Sequence, residues 1–543
     1  MGRFADINGA IGVVTNSVEF KRISALPRRV LDLEAVLDVT CMFLRPNAPS
    51  DAMRFWPLQS AALIEAATAD GLVGDIGVGS GKTLISLALP TAMDSDCAVL
   101  LVPPRLKEKT LREIDEVYGR YFDLPLDRLH IVKYTELSSA KSAEILDEIK
   151  PDLIIADEAH LLKRLQSART KRFRRYMAEN PGCRFVMLSG TMENRSIIES
   201  AHLVELALRK NSPLPRGYRE IMDWAGAIDV KPDYRMRPGV LKQFCSNGEG
   251  VRDGYRRRFV ETPGVVAGKK NMIGTSLVIQ KLIPQVPAVI EELRQITKAT
   301  WSIEGDEFDS PLALSRVMRQ LACGFYLRWD WPDGKPDFEW LEARKNWNCD
   351  VRDILKRSRK GLDSPLLVYL AAKAGRINVP SWAPWAAVRD RPVPPTVPVW
   401  KDPFIVNAAI QWGQKDGGII WYQHKALGER IAKKTRWPHY GAGTDADLAR
   451  DPVIICSVKA QGTGKNLQHY SRNLLTTLPG SGQVFEQVAG RTHRPGQMAD
   501  EVTIDWFGHT SELAASMGSI IEDAEFIQQT KGHVQKVLYA TRI

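Results

Sequence analysis

Leu72-Val73-Gly74-Asp75-Ile76-Gly77-Val78-Gly79-Ser80-Gly81-Lys82-Thr83 is the stretch on which the fold of this chain turns. Its apolar start, Leu72–Ile76, reads as a buried strand, and the run Leu84–Leu89 (LISLAL) after it reads as a helix. A glycine-rich turn between strand and helix lets backbone N–H groups face inward around phosphate oxygens, and the helix N-terminus adds a favourable partial charge. Gly77, Gly79, Ser80 and Gly81 would form that cradle. Lys82 would neutralise the β- and γ-phosphates of a bound nucleotide, and the Thr83 hydroxyl would ligate Mg²⁺. The strict phosphate-loop pattern has glycine where this chain has Ile76, and an isolated GSGKT also fits an ordinary turn. The flanking strand and helix favour the phosphate loop.

Working outward, Cys97–Val102 (CAVLLV), Asp152–Ala156 (DLIIA) and Arg184–Leu188 (RFVML) read as further buried strands, with a helix over Lys107–Val117. A second series follows at Gly418–Tyr422, Val453–Ser457, Asn473–Thr477 and Val502–Phe507. Continuous apolar runs, rather than alternating ones, indicate strands covered on both faces, as in parallel α/β sheets. The strand ending at Ala156 runs straight into Asp157-Glu158-Ala159-His160, 75 residues beyond Lys82. That places two carboxylates at the carboxyl edge of a sheet, where α/β proteins bind ligands. Asp157 can hold Mg²⁺ and Glu158 can deprotonate an attacking water, although an Asp-Glu pair also commonly stabilises a helix start.

Composition sets the outer limits. With 543 residues, the chain holds material for about three to four domains. Hydrophobic residues at 44% and charged residues at 25% exclude wholesale disorder and fibrous structure. The formal net charge of +10 points to a polyanionic partner. Seven scattered cysteines without a CxxC pair predict neither a disulfide framework nor a zinc site, and a reducing interior is the expectation. No run nears the roughly 18 apolar residues of a membrane span, and the N-terminus fits neither a signal peptide nor a myristoylation signal, so a cytoplasmic protein with no membrane partner is expected.

The ordered series of motifs resembles a superfamily-two helicase or translocase, most closely the Snf-type and related bacterial and phage ATPases. Phe55-Trp56-Pro57-Leu58-Gln59 looks like the first motif, whose Gln contacts adenine in the family. Val102-Pro103-Pro104-Arg105 is similar to motif Ia, Tyr134-Thr135 to motif Ib, and Ser189-Gly190-Thr191 to motif III, which couples hydrolysis to nucleic-acid binding. Ser457 to Leu467 (SVKAQGTGKNL) resembles motif V, with Thr463 and Gly464 toward nucleic acid. Gln487 to Gln497 (QVAGRTHRPGQ) resembles motif VI, including the Arg-x-Gly-Gln tail of the Snf-type group. The resemblance implies two RecA-like lobes of a P-loop ATPase that close on ATP and Mg²⁺, with Gln487, Arg491 and Arg494 as catalytic residues. Arginines three residues apart would share a helical face, and Arg494 is the expected arginine finger.

The expected domains are an N-terminal extension (1–49), lobe one (50–230), a helical, Trp-rich insertion with a Pro-rich connector (231–400) and lobe two (401–543). Nine of the fourteen tryptophans fall between Trp301 and Trp412, and prolines from Pro380 to Pro403 read as an extended connector. Helices are predicted near Val286–Ala299, Leu312–Cys323 and Leu427–Lys434. The last leaves lobe two short of a helix and strand that the family carries before motif V. Basic clusters at Lys163–Arg164 with Arg169–Arg175, Arg256–Arg258 with Lys269–Lys270, and Arg344–Lys360 would suit phosphates or simply form solvated helix faces. The expected activity is ATP-dependent movement along, or remodelling of, DNA, whether single-stranded, duplex or forked. An RNA helicase would share every nucleotide-binding residue, and a scaffold that binds nucleic acid without hydrolysis is the alternative of a different class. A terminase-type packaging motor would need a nuclease domain, and no acidic metal cluster is evident after residue 400.

Overall fold

A computed structural model describes residues 14–543 except 50–51, 78–79, 105, 191–195, 231, 233–234, 237, 269–274, 309, 333, 358–360, 495 and 533–534. The chain forms two compact units. The first takes the residues up to 270 together with 342–389 and 526–533. The second takes 271–341, 390–525 and 534–543.

The first unit is built on six strands, β1 (Leu72–Asp75), β2 (Ala98–Val102), β3 (Leu129–Lys133), β4 (Leu153–Asp157), β5 (Arg184–Ser189) and β6 (Val265–Ala267). They hydrogen-bond in the order β3-β2-β4-β5-β1-β6, every pair parallel. Alternate residues serve opposite faces: Leu153 and Ile155 join one apolar cluster with Leu100 and Val186, whereas Ile154 and Ala156 join another with Val99 and Phe185. Both faces being buried is why these runs carry no polar alternation. The expected N-terminal extension is not separate. Its helix Val18–Ala25 sets Phe20 and Ile23 into the same core, with Phe20 against Trp224 and Phe244.

In the second unit the expected boundaries also shift. The strand β7 (Ser276–Leu282), in the region expected to be helical insertion, pairs with the last long strand of the second sheet. Between them come a two-residue hairpin, β8 (Ser302–Ile303) and β9 (Asp306–Glu307), and an antiparallel ribbon, β10 (Phe325–Trp329) with β11 (Thr396–Trp400). Then follow β12 (Gly418–Tyr422), β13 (His439–Tyr440), β14 (Val453–Ser457), β15 (Arg472–Leu475), β16 (Glu501–Phe507) and β17 (Thr541–Arg542). The sheet order is β13-β14-β12-β15-β16-β7-β17, again all parallel. The helix Lys425–Thr435 is the one expected near Leu427–Lys434; the short β13 supplies the strand expected to be missing before motif V, and no second helix accompanies it among the described residues. The molecule is thus an α/β protein with two parallel sheets.

The Pro-rich connector is not uniformly extended. Trp382–Val388 is a helix with Pro384 inside its first turn, a position where no intrahelical N–H is needed. Pro398 lies in β11 opposite Leu327. The bonds Lys401 N–H to Gly324 O (2.8 Å) and Asp330 N–H to Pro395 O (2.8 Å) fix the ribbon's alternation. Pro398 falls out of step with them, so its missing N–H faces away from the partner strand. The tryptophans mostly anchor local cores: Trp347 packs on Trp382, and Trp412 donates its indole N–H to Asp505 at 2.6 Å.

One basic cluster is spent inside the first unit. On the helix Ala168–Glu179, Arg172 makes a bidentate pair with Asp363 (2.9 Å to Oδ1 and 3.3 Å to Oδ2) and also donates to the carbonyls of Leu137 and Ser139. Arg175 reaches the same carboxylate at 3.0 Å, and Lys171 donates to Leu355 O. Burial alone would raise the pKa of Asp363, but the two guanidinium groups more than offset it and hold the carboxyl below its ordinary value of 3.8. These bonds fasten the helical segment 342–389 to the helix that follows the Asp157-Glu158 strand. Asp363→Ala should therefore cost about 3–5 kcal/mol by leaving buried guanidinium charge uncompensated, read by urea denaturation through Trp347 and Trp382 fluorescence. Because the folded pKa is depressed, this stabilisation in the wild type is complete above 3.8 and fades as pH falls through the folded value.

Candidate active site

Parallel strands end at one edge, so the loops after β1, β4 and β5 lie side by side in the first unit, with β5 between the other two. After β1, Ile76 N–H donates to Ser189 O at 3.2 Å, tying the glycine loop to the end of β5. Gly190 follows, and a Cβ there would stand 2.9 Å from Ile76 O and 3.0 Å from Gly77 Cα. Only glycine lets these two turns approach so closely. Gly81, at the head of the helix Lys82–Ala92, takes φ 72°, and a Cβ on it would strike the Gln59 side chain at 2.1 Å.

Gln59 itself is buried and used at both ends. Its Oε1 accepts from Trp56 N–H at 2.8 Å, while Nε2 lies 3.5 and 3.4 Å from the carbonyls of Ser80 and Gly81. Its amide thus props the loop from behind. Lys82 Nζ donates to Ile76 O (3.0 Å) and Gly77 O (3.3 Å) and lies 3.9 Å from Glu158 Oε1. Thr83 is the second residue of the helix and half-buried. Gly79 lies outside the described residues, as do Arg105 and Thr191.

The carboxylates are brought together by a break in the backbone. Side chains along a strand alternate faces, so Asp157 and its successor would diverge if β4 continued. Instead Glu158 turns to φ 56°, ψ 51° and caps the 3-10 turn Ala159–Leu162. A left-handed non-glycine residue costs about 1–2 kcal/mol. Asp157 is buried, and its Oδ1 has no hydrogen-bond partner. Burial, then the charge of Glu158, push its pKa above the ordinary 3.8, and Lys82 only partly opposes them. His160 Nδ1 stands 3.2 Å from Glu158 Oε2 and 3.1 Å from Ser189 Oγ, linking the ends of β4 and β5. No spacing rule in the sequence connects His160, in the turn after β4, with Ser189 at the end of β5, 29 residues later.

These residues suit a metal-bound triphosphate. A buried carboxylate with an unpartnered oxygen, within the electrostatic reach of Lys82, is chemistry for a hard cation bound by one or two protein oxygens plus phosphate. No cluster of three or more His, Cys, Asp or Glu suited to a metal occurs among the described residues, and a magnesium–nucleotide site needs none.

Of the residues expected to touch nucleic acid, Tyr134 is corrected. It is fully buried, its hydroxyl donating to Asp157 O at 2.9 Å, which leaves no ring face for a base. Pro104 is half-buried and Thr135 exposed, at the ends of the neighbouring strands β2 and β3. In the second unit, the motif V and motif VI stretches form one cluster. Arg491 donates to Lys465 O (2.8 Å) and Gln487 O (2.9 Å), Leu467 N–H donates to Arg491 O, and Thr463 Oγ1 lies 3.5 Å from Gln487 Oε1. Gly464 beside it takes φ 74°. The shared helical face expected for the two arginines is corrected too: the helix Gly482–Thr492 stops at His493, whose N–H still bonds Ala489 O, and Arg494 lies beyond it, half-buried. His493 is fixed through Nε2 to Thr275 O at 2.9 Å.

Asp157→Asn should raise the apo melting temperature at pH 8. A raised folded pKa means the charge penalty is present above that pKa and absent below 3.8, so the variant's advantage should vanish as pH falls to that value. Scanning fluorimetry across pH checks both signs. No protein-family model matches the chain, and no curated protein matches it.

Proposed function

We propose that the chain hydrolyses ATP at the Lys82 loop and uses that hydrolysis to move along or remodel DNA. The observation that carries this reading is the meeting of Lys82, Asp157, Glu158 and Ser189 at one sheet edge, with Asp157 Oδ1 unpartnered. In it, Lys82 exchanges the carbonyls of Ile76 and Gly77 for the β- and γ-phosphates. Thr83 and Asp157 hold magnesium, which supplies charge neutralisation and geometry at those phosphates when bound.

Glu158 accepts a proton from the attacking water. Its carboxylate is oriented by His160, so any movement of Ser189 on β5 is felt at the base. Arg494 is the arginine assigned to the transferring phosphoryl group. Arg491 serves the fold of the second unit, since its guanidinium bonds Lys465 and Gln487 carbonyls. The net charge of +10 favours a polyanionic track.

Glu158→Gln should retain ATP binding and lose about 10²–10⁴ in turnover, while Lys82→Ala loses binding. Arg494→Ala should cost about 10³–10⁵ in turnover. Phosphate release measured with single-stranded, duplex and forked DNA and with RNA assigns the track. Wild-type turnover in Glu158→Gln sinks the mechanism.

A further inference from the structure

Residues 342–389, folded into the first unit, contain ten Lys and Arg against four Asp and Glu. A surplus of six sits in this short segment of a chain whose whole net charge is +10. One of the four acids, Asp363, is buried and committed to Arg172 and Arg175, which lie outside the segment. Another, Asp350, is turned to Ser381 N–H at 3.0 Å. The outward surface is therefore more basic than the count suggests.

The charge is also ordered. The helix Phe338–Lys356 buries Ala343, Trp347 and Val351 and exposes Lys345, Arg352 and Lys356. At 100° per residue these three fall within about 40° of one another, opposite the buried stripe, and span about 16 Å of helix. Glu342 and Asp353 flank them, and Asp353 meets Lys356 at 2.8 Å in an exposed pair of the kind that contributes little. Lys373 and Arg376 are exposed at the end of the helix Pro365–Lys373 and just beyond it. Between Glu342 and Arg357 the one aromatic, Trp347, is buried; the ring exposed on this face of the helix is Phe338, about 10 Å before Lys345. Grips on unpaired strands interleave stacking rings with the cations, whereas the row from Lys345 to Lys356 has no exposed ring between its cations and suits the phosphates of a duplex.

We infer that the exposed face of this helix, through Lys345, Arg352 and Lys356, is a grip for the phosphate backbone of duplex DNA, separate from the motif residues. It rests on the reading of the chain as a DNA-directed ATPase. The Arg172–Asp363 bonds fasten this grip to the helix Ala168–Glu179, the next α-helix after the strand that ends at Asp157. Duplex held here is thereby tied to the body that carries the nucleotide site.

The test is binding of the full chain, without nucleotide, to a fluorescein-labelled duplex of about 20 base pairs at salt between about 50 and 200 mM. The variant K345A/R352A/K356A should bind at least tenfold more weakly at the lower salt. Its slope of log affinity against log salt should be shallower by about 2–3. The charge-preserving K345R/R352K/K356R should keep the wild-type slope, and melting curves confirm that both variants fold. An unchanged slope in the alanine variant overturns the grip. An equal or larger loss with a single strand of the same length overturns the duplex assignment. ATP hydrolysis without DNA, measured in parallel, separates the two readings. A normal basal rate with an unchanged slope removes this grip alone. A flattened slope with no hydrolysis by wild type supports the grip and removes the ATPase.

Discussion

Two adjacent carboxylates buried against a single lysine are the constraint from which the first unit is best understood. Desolvation makes such an arrangement costly, and the native structure carries that cost in three visible forms: a raised Asp157, a left-handed Glu158 and a lysine drawn onto loop carbonyls. Packing alone would have selected apolar residues at the end of β4. Sites where local rules are broken without a structural gain are where ligand chemistry is expected.

The rest of the edge is arranged to keep that charge cluster in place. Tyr134 holds the Asp157 carbonyl from below, Gly190 lets β5's turn lie against the glycine loop, and Gln59 supports the loop from its far side. None of these groups needs to touch a ligand. Their tolerances are nonetheless tight, because the Gly190 contact is a close backbone approach and the Tyr134 and Gln59 side chains both end on backbone carbonyls.

Much of this was legible in the sequence. The continuous apolar runs at Ala98–Val102, Leu153–Asp157, Gly418–Tyr422 and Val453–Ser457 are strands because burial on both faces leaves a strong local signal. The glycine loop and the Asp157-Glu158 pair were readable because their spacing from strand ends is itself the chemistry. What escaped was non-local. Nothing near Ser276 announces that β7 pairs with β16, and nothing near Arg172 announces Asp363, 191 positions away. The proline-rich stretch misled for a different reason: proline forbids a ladder bond, but Pro398 sits where the ladder asks for none. Basic clusters were the least informative feature, since Lys171 and Arg172 serve internal carbonyls and a buried acid while Lys345 and Arg352 face solvent.

The pairing of β7 with β16 also has a bearing on biosynthesis. Ser276 opposes Glu501 in the ladder, so the second sheet encloses a loop of more than two hundred residues that must be gathered before these edges meet. The entropy of that closure grows only slowly with length, but the delay does not, because the ribosome must deliver Phe507 before β7 finds its neighbour. Until then an apolar strand waits with both edges open, the condition in which nascent chains aggregate or engage chaperones.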